Sequence, residues 1–180
     1  MNEREARILL GAIVAAMVAS VCLVRLPGFW GDGATYYAMA HSLAEDGDLR
    51  YEARDVFRAR RELPGGPQGL FLKRASGGLR WDGDGGFPWV GRVPEGDKRI
   101  YFAKAFAYPV AAAPLVALMG TRGLLMTNAL ALGLTLVLSY LELRTRASPG
   151  WGLAAAVALI VATIAGRKYA SAPPNRPTQK

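Results

Sequence analysis

The carboxylate with the strongest claim to chemistry is Asp32. It stands between Gly31 and Gly33, a few residues after an uncharged run of 17 residues, 8–24. Glycines on either side let another molecule come close to the backbone. A carboxylate so exposed can take a proton from an acceptor hydroxyl or amine. The plainer alternative is that Asp32 caps the helix that follows, with Gly47 just past its end. Lys104 has the same double character. It sits at the mouth of a second uncharged run, close in height to Asp32, and serves either as an interfacial anchor or as a contact for phosphate. His41 is the sole histidine, so any site needing two imidazoles is excluded, and on a helix with neighbours it is read as structural. The sole cysteine, Cys22, permits neither a disulfide within the chain nor a paired-cysteine metal site. Asp82-Gly83-Asp84-Gly85-Gly86 faintly suggests a calcium loop. It lacks that motif's third ligand and terminal glutamate at the required spacing, so it is read as a turn.

These residues need elements to hold them. After Asp32, the residues Tyr36, Met39, Ala40 and Leu43 recur at helical spacing, which predicts a short amphipathic helix that lies on a bilayer or roofs a bundle. Residues 52–63 are expected to form a second helix with Arg54, Arg58 and Arg61 on one face. That face suits lipid phosphates. It is equally explained as a solvated face partly neutralised by Glu52, Asp55 and Glu62. Beyond it the chain is rich in glycine and turns. Two hairpins are expected, residues 69–74 with 79–81 across 75–78, and residues 88–93 with 99–102 across 94–97.

The charge distribution sets the frame. The chain has 180 residues and a formal net charge of +8. Residues 27–105 hold 11 of the 14 acids and 12 of the 22 Lys/Arg and net +1, while the other 101 residues net +7. The surplus bases flank apolar runs instead of forming a patch, which excludes a nucleic-acid partner. The uncharged runs are 8–24, 105–121, 123–141 and 147–166, of 17, 17, 19 and 20 residues. A bilayer span takes about 20 apolar residues. The fold class expected is therefore an all-α membrane protein with about four transmembrane helices. Residues 1–26 are the N-terminus and first span, 27–104 a large extracytoplasmic loop of amphipathic helices and short hairpins, 105–166 three more spans, and 167–180 a disordered cytoplasmic tail. On that count Arg4, Arg7, Arg122, Arg167, Lys168, Arg176 and Lys180 lie inside against Arg25, Arg144 and Arg146 outside, which favours a cytoplasmic N-terminus.

A cytoplasmic start, one span, an outside Asp, the stretch GDGATYYAMAHSLAEDGDL, a long loop, then YFAKAFAYPVAAAPLVALMG and GLLMTNALALGLTLVLSYL together resemble the N-terminal part of the GT-C superfamily of integral-membrane glycosyltransferases. The nearest types are the bacterial relatives of protein O-mannosyltransferases and of aminoarabinose lipid A transferases. The resemblance implies a bacterial inner-membrane enzyme moving a sugar from a polyprenyl-phosphate donor to an acceptor on the outer side. It makes Asp32 the base and Lys104 the donor-phosphate contact, with Tyr36, Tyr37 and Arg58 as further substrate-binding candidates. Family members often carry an acid directly after that Asp. Here Gly33 stands there, so no divalent metal is expected, and the lipid-linked sugar is a substrate, not a cofactor. Family enzymes have around a dozen spans, so a chain this short is expected to be truncated, or to work with a remaining transferase half or another membrane subunit. The alternative is a non-catalytic multi-pass scaffold whose loop binds another protein.

Overall fold

A computed structural model describes residues 1–24, 28–63, 65–74, 79–82, 89–92, 96 and 98–170. The chain is mostly helical, with α1 (Glu3–Leu23), α2 (Asp32–Glu45), α3 (Ala53–Glu62), four short strands β1 (Leu72–Arg74), β2 (Leu79–Asp82), β3 (Trp89–Arg92) and β4 (Ile100–Phe102), then α4 (Ala107–Met119), α5 (Arg122–Leu143) and α6 (Pro149–Ala170). It divides into two compact units, one of Met1–Ser20 with Ala129–Lys180 and one of Val21–Asn128.

In the first unit Ala6, Leu10, Leu136, Tyr140, Leu153, Ala156 and Ile160 form an apolar core. Small residues allow the helices to approach. A Cβ on Gly133 would lie 3.3 Å from Val14, and one on Gly152 would lie 3.2 Å from the Arg144 backbone. Glu3 pairs with both Arg7 and Arg144, which sets the start of α1 beside the end of α5. α1 and α5 are long and apolar enough to cross a bilayer. Only 17 % of the apolar window of α1 and 28 % of that of α5 are buried, far less than in the core helix of a soluble protein. α6 is helical throughout. Because α6 runs to Ala170, the irregular tail expected from Arg167 does not begin there; residues 171–180 lie outside those described.

The second unit gives the run 105–121 a shorter element than expected. The run 105–121 yields α4, a helix of 13 residues. At 1.5 Å per residue it is about 20 Å long, short of a hydrocarbon core of about 30 Å. Thr121, just past its end, is hydrogen-bonded to His41 at 3.0 Å and to Glu62. Arg122 donates to the Cys22 carbonyl, so the chain enters α5 beside the point where it leaves α1. α4 belongs with the segment before it.

α2 is the centre of this unit. Tyr37, Ala38, Met39 and Ala40 join Leu49, Ala59, Phe102, Ala112, Val116 and Leu124 in one core. Thr35, His41 and Ser42 are buried as well, so α2 is covered on most of its circumference and does not lie on a surface as an amphipathic helix. Its alanines permit this close cover. Gly31 occupies the N-cap position, and Asp32 is the first helical residue with no capping bond. Glu45 ends the helix and Gly47, at φ +73°, follows in the left-handed region. α3 forms within the expected residues 52–63.

The strands exist where the alternation indicated, but their partners differ. β1 pairs with β4 (Leu72↔Phe102, Arg74↔Ile100) and β2 with β3 (Leu79↔Arg92, Asp82↔Trp89), each antiparallel. The two pairs are nested, so neither β1 with β2 nor β3 with β4 forms the expected hairpin. Backbone anchoring outside the ribbon explains the choice. Tyr51 donates to the Ile100 carbonyl at 2.8 Å, Phe102 to Leu49 at 3.3 Å and Ala103 to Phe71 at 2.8 Å, which holds β4 between residues 49–51 and β1. Residues 83–86 of the faint calcium loop lie outside those described.

Gly120, at φ +59°, ends α4 and turns the chain into α5. A Cβ on Gly123 would stand closer than 3.0 Å to the backbone of Leu115 and Val116, which no side-chain motion relieves. Gly123→Ala is therefore expected to cost about 1–3 kcal/mol by overpacking. A lower urea midpoint of the detergent-solubilised chain checks this, with Gly11→Ala, which meets nothing within 4 Å, unchanged.

Candidate functional site

The turn before α2 is clamped by the segment 65–71. Gly31 donates to the Gln68 carbonyl at 3.1 Å, and Trp30 bridges to Gln68. Gly69, at φ +71°, passes so close that a Cβ there would lie 3.1 Å from Gly31 Cα. Thr35 Oγ1 donates to the Gly31 carbonyl at 3.1 Å and accepts the Phe71 N–H at 3.0 Å. These bonds bring the Phe71 ring next to the Asp32 turn. Lys104 follows β4 at the same place. Its Nζ lies 4.0 Å from the Phe71 ring centroid and 2.8 Å from Asp32 Oδ1. The Asp32 side chain is 60 % exposed and that of Lys104 is 26 % exposed. An ammonium and a carboxylate thus meet at one open position beside a helix start, where the ammonium favours an anion and the carboxylate offers a proton acceptor.

No family model, no curated protein and no solved structure matches the chain. What the site can do therefore follows from its own geometry.

Two of the sequence candidates, Asp32 and Lys104, come together although 72 residues apart in the chain. Tyr36 is half-buried, edge-on to Tyr108 at 5.6 Å. Tyr37 is buried, stacked on Phe29 at 5.1 Å, and donates to Glu62 Oε2 at 3.2 Å. Burial, with the negative charge of Glu62 behind it, holds the Tyr37 phenol protonated far above the ordinary range. Its hydroxyl is thus committed inside the unit.

Arg58 lies at the far end of α2, about 20 Å along the axis from Asp32. Its Nε meets Glu45 at 2.7 Å, Nη2 meets Asp46 at 2.9 Å and Nη1 meets Asp55 at 3.1 Å. Arg54 pairs with Asp46, Asp48 and Glu52 at 3.1–3.2 Å. The arginine face of α3 is turned onto the acidic end of α2, an arrangement closer to the neutralised face than to a row of lipid-phosphate contacts. Asp55 also accepts the Glu52 N–H at 2.8 Å. Burial nonetheless pushes the Asp55 carboxyl up to about 6. Asp48 is raised by the same cause, opposed by bonds from the Arg50 N–H, Arg54 and Ser42.

One constellation escaped the sequence reading. His41 Nδ1 faces Glu45 at 3.1 Å and Nε2 faces Thr121 Oγ1 at 3.0 Å, the connectivity of a hydroxyl–imidazole–carboxylate triad. Its burial argues against catalysis. Thr121 is 3 % and His41 4 % exposed, and the Thr121 hydroxyl donates to Glu62 and so holds no proton for the imidazole to take. The chain of bonds ties α2, α3 and the start of α5 together. The spacing of Glu45 four residues after His41 was the only signal for it in the sequence. Among the described residues no group of three or more histidine, cysteine or acidic side chains is arranged to hold a metal ion.

Proposed function

We propose that the chain is a membrane-embedded glycosyl-transfer module of the GT-C kind, with Asp32 as base and Lys104 as the donor-phosphate contact. The observation that carries this is the 2.8 Å pair between Asp32 and Lys104 on an open helix start. In the proposed step the acceptor hydroxyl gives its proton to Asp32 as its oxygen bonds the anomeric carbon of a polyprenyl-phosphate sugar. The bond from that carbon to phosphate oxygen breaks, and the polyprenyl phosphate leaves with its charge met by Lys104. Releasing the ammonium from Asp32 toward phosphate also frees the carboxylate to accept the proton.

The membrane arrangement that accompanies this reading has three spans, α1, α5 and α6. The N-terminus and the short α5–α6 turn then share a side that carries Arg4, Arg7, Arg144 and Arg146, and its placement in the cytoplasm of a bacterial inner membrane rests on the resemblance, because the count of flanking bases does not favour it. Residues 24–121 face outward. Arg122 and the bases after Gly166 fall on the outer side too, where the four-span count had them inside.

Asp32→Asn keeps the shape and removes the base, so transfer from a polyprenyl-phosphate sugar in native membranes is expected to fall by about 100-fold or more, with insertion intact. Lys104→Gln is expected to raise KM for the donor more than it lowers kcat. Unchanged transfer by Asp32→Asn would overturn the proposal. If a larger complex were recovered in detergent alongside that result, the scaffold reading would replace it.

A further inference from the structure

We infer that α4 is an in-plane membrane helix, its outer face sunk in the boundary between lipid headgroups and acyl chains. The inference rests on the membrane reading above and concerns a surface that reading leaves unused. α4 is apolar on both sides. Pro109, Ala112 and Val116 are buried, and they recur at i, i+3 and i+7 against the core around α2. Ala107, Ala111, Pro114 and Leu118 recur at i, i+4, i+7 and i+11 on the opposite side, and all four are exposed, Leu118 by 81 %. Phe106 adds an aromatic ring, 52 % exposed, at the start. A helix apolar all round is stable in water only when it is covered. This helix has a bare stripe about three turns long.

Three observations name lipid as the cover. No charged residue occurs from 105 to 121, while Lys104 and Arg122 bracket the run, so both ends present cations at the depth where phosphates lie. After two residues α4 continues into α5, one of the two helices long enough to cross a bilayer. The Lys104–Asp32 pair before α4 and the Thr121 bonds to His41 and Glu62 after it tie both ends of α4 along α2, which keeps them on one side of the bilayer and leaves an orientation along the surface. The same depth would bring the Asp32–Lys104 pair to the headgroups.

The test uses the full chain with Cys22→Ser, reconstituted in phosphatidylethanolamine–phosphatidylglycerol vesicles. A fluorophore is attached singly at Ala111→Cys, Leu118→Cys, Leu134→Cys of α5, or the exposed Phe57→Cys of α3. Positions 111 and 118 are expected to lose fluorescence to lipids spin-labelled near the headgroup. They should lose little to lipids labelled deep in the chain, and little to aqueous iodide. Position 134 should respond to the deep label and position 57 to iodide. If 111 or 118 behaves like 57, the face is in water and the inference fails while the membrane reading stands. Quenching of 111 by the deep label, with 118 shallow, would make α4 a span and also overturn the inference. If 134 itself responds to iodide alone, the membrane reading fails.

Discussion

Arg58→Met is expected to destabilise the second unit by about 3 kcal/mol, the scale of breaking a buried ion pair from one side. The methionine keeps most of the side-chain volume and removes only the guanidinium. Three carboxylates lose their partner at once, and two of them, Asp46 and Asp55, are 10 % and 2 % exposed. Glu45, 47 % exposed, recovers solvation and contributes little. Arg54 still serves Asp46, so the loss concentrates on Asp55. A lowered urea midpoint, followed by near-ultraviolet circular dichroism in detergent, checks the claim. Arg61→Met, on an exposed arginine of the same helix, is the control. Equal midpoints for the two variants would mean that the network around Arg58 contributes nothing net to folding.

Stability is also expected to fall as pH rises from about 4 to about 6. The Asp55 carboxyl, raised to about 6 in the folded chain, has an ordinary value of 3.8. Between these values the folded form binds more protons than the unfolded one, so the stabilisation is complete below the ordinary value and is lost as pH climbs through the folded one. Two pH units at about 1.4 kcal/mol each give about 2–3 kcal/mol. Asp48 is raised by burial as well and acts in the same direction. Asp55→Asn still offers an oxygen to the Glu52 N–H and cannot ionise, so its midpoint is expected to change less over this range. Parallel pH profiles for the two proteins would refute the assignment.

The helices were legible because each follows a local rule. The runs at 8–24, 123–141 and 147–166 fall on α1, α5 and α6 but for Val24, Ala147 and Ser148, and residues 52–63 hold α3 with an acid at its start. Asp32 and Lys104 were singled out by position, and they meet. What local rules could not supply was pairing at a distance. The same 17 uncharged residues fit a span or a helix apolar on two faces, and the bonds of Thr121 to His41 and Glu62, which bear on the choice, join residues 80 and 59 apart. Strand alternation located β1 to β4 but did not choose partners, because that choice rests on backbone bonds from residues 49–51. Arg58 shows the same limit: its acidic neighbours on α3 were visible, whereas Glu45 and Asp46 come from the previous helix.

The bond between Arg122 and Cys22 joins residues 100 apart in the chain. It has a consequence for biogenesis. The unit it closes cannot be finished while the ribosome is still making its first hundred residues, since His41 and Glu62 wait for Thr121. Ring closure over that length is slow compared with local helix formation. α2 and α3 therefore spend the interval as loosely held helices, and the arrival of Thr121 and Arg122 is the event that locks them.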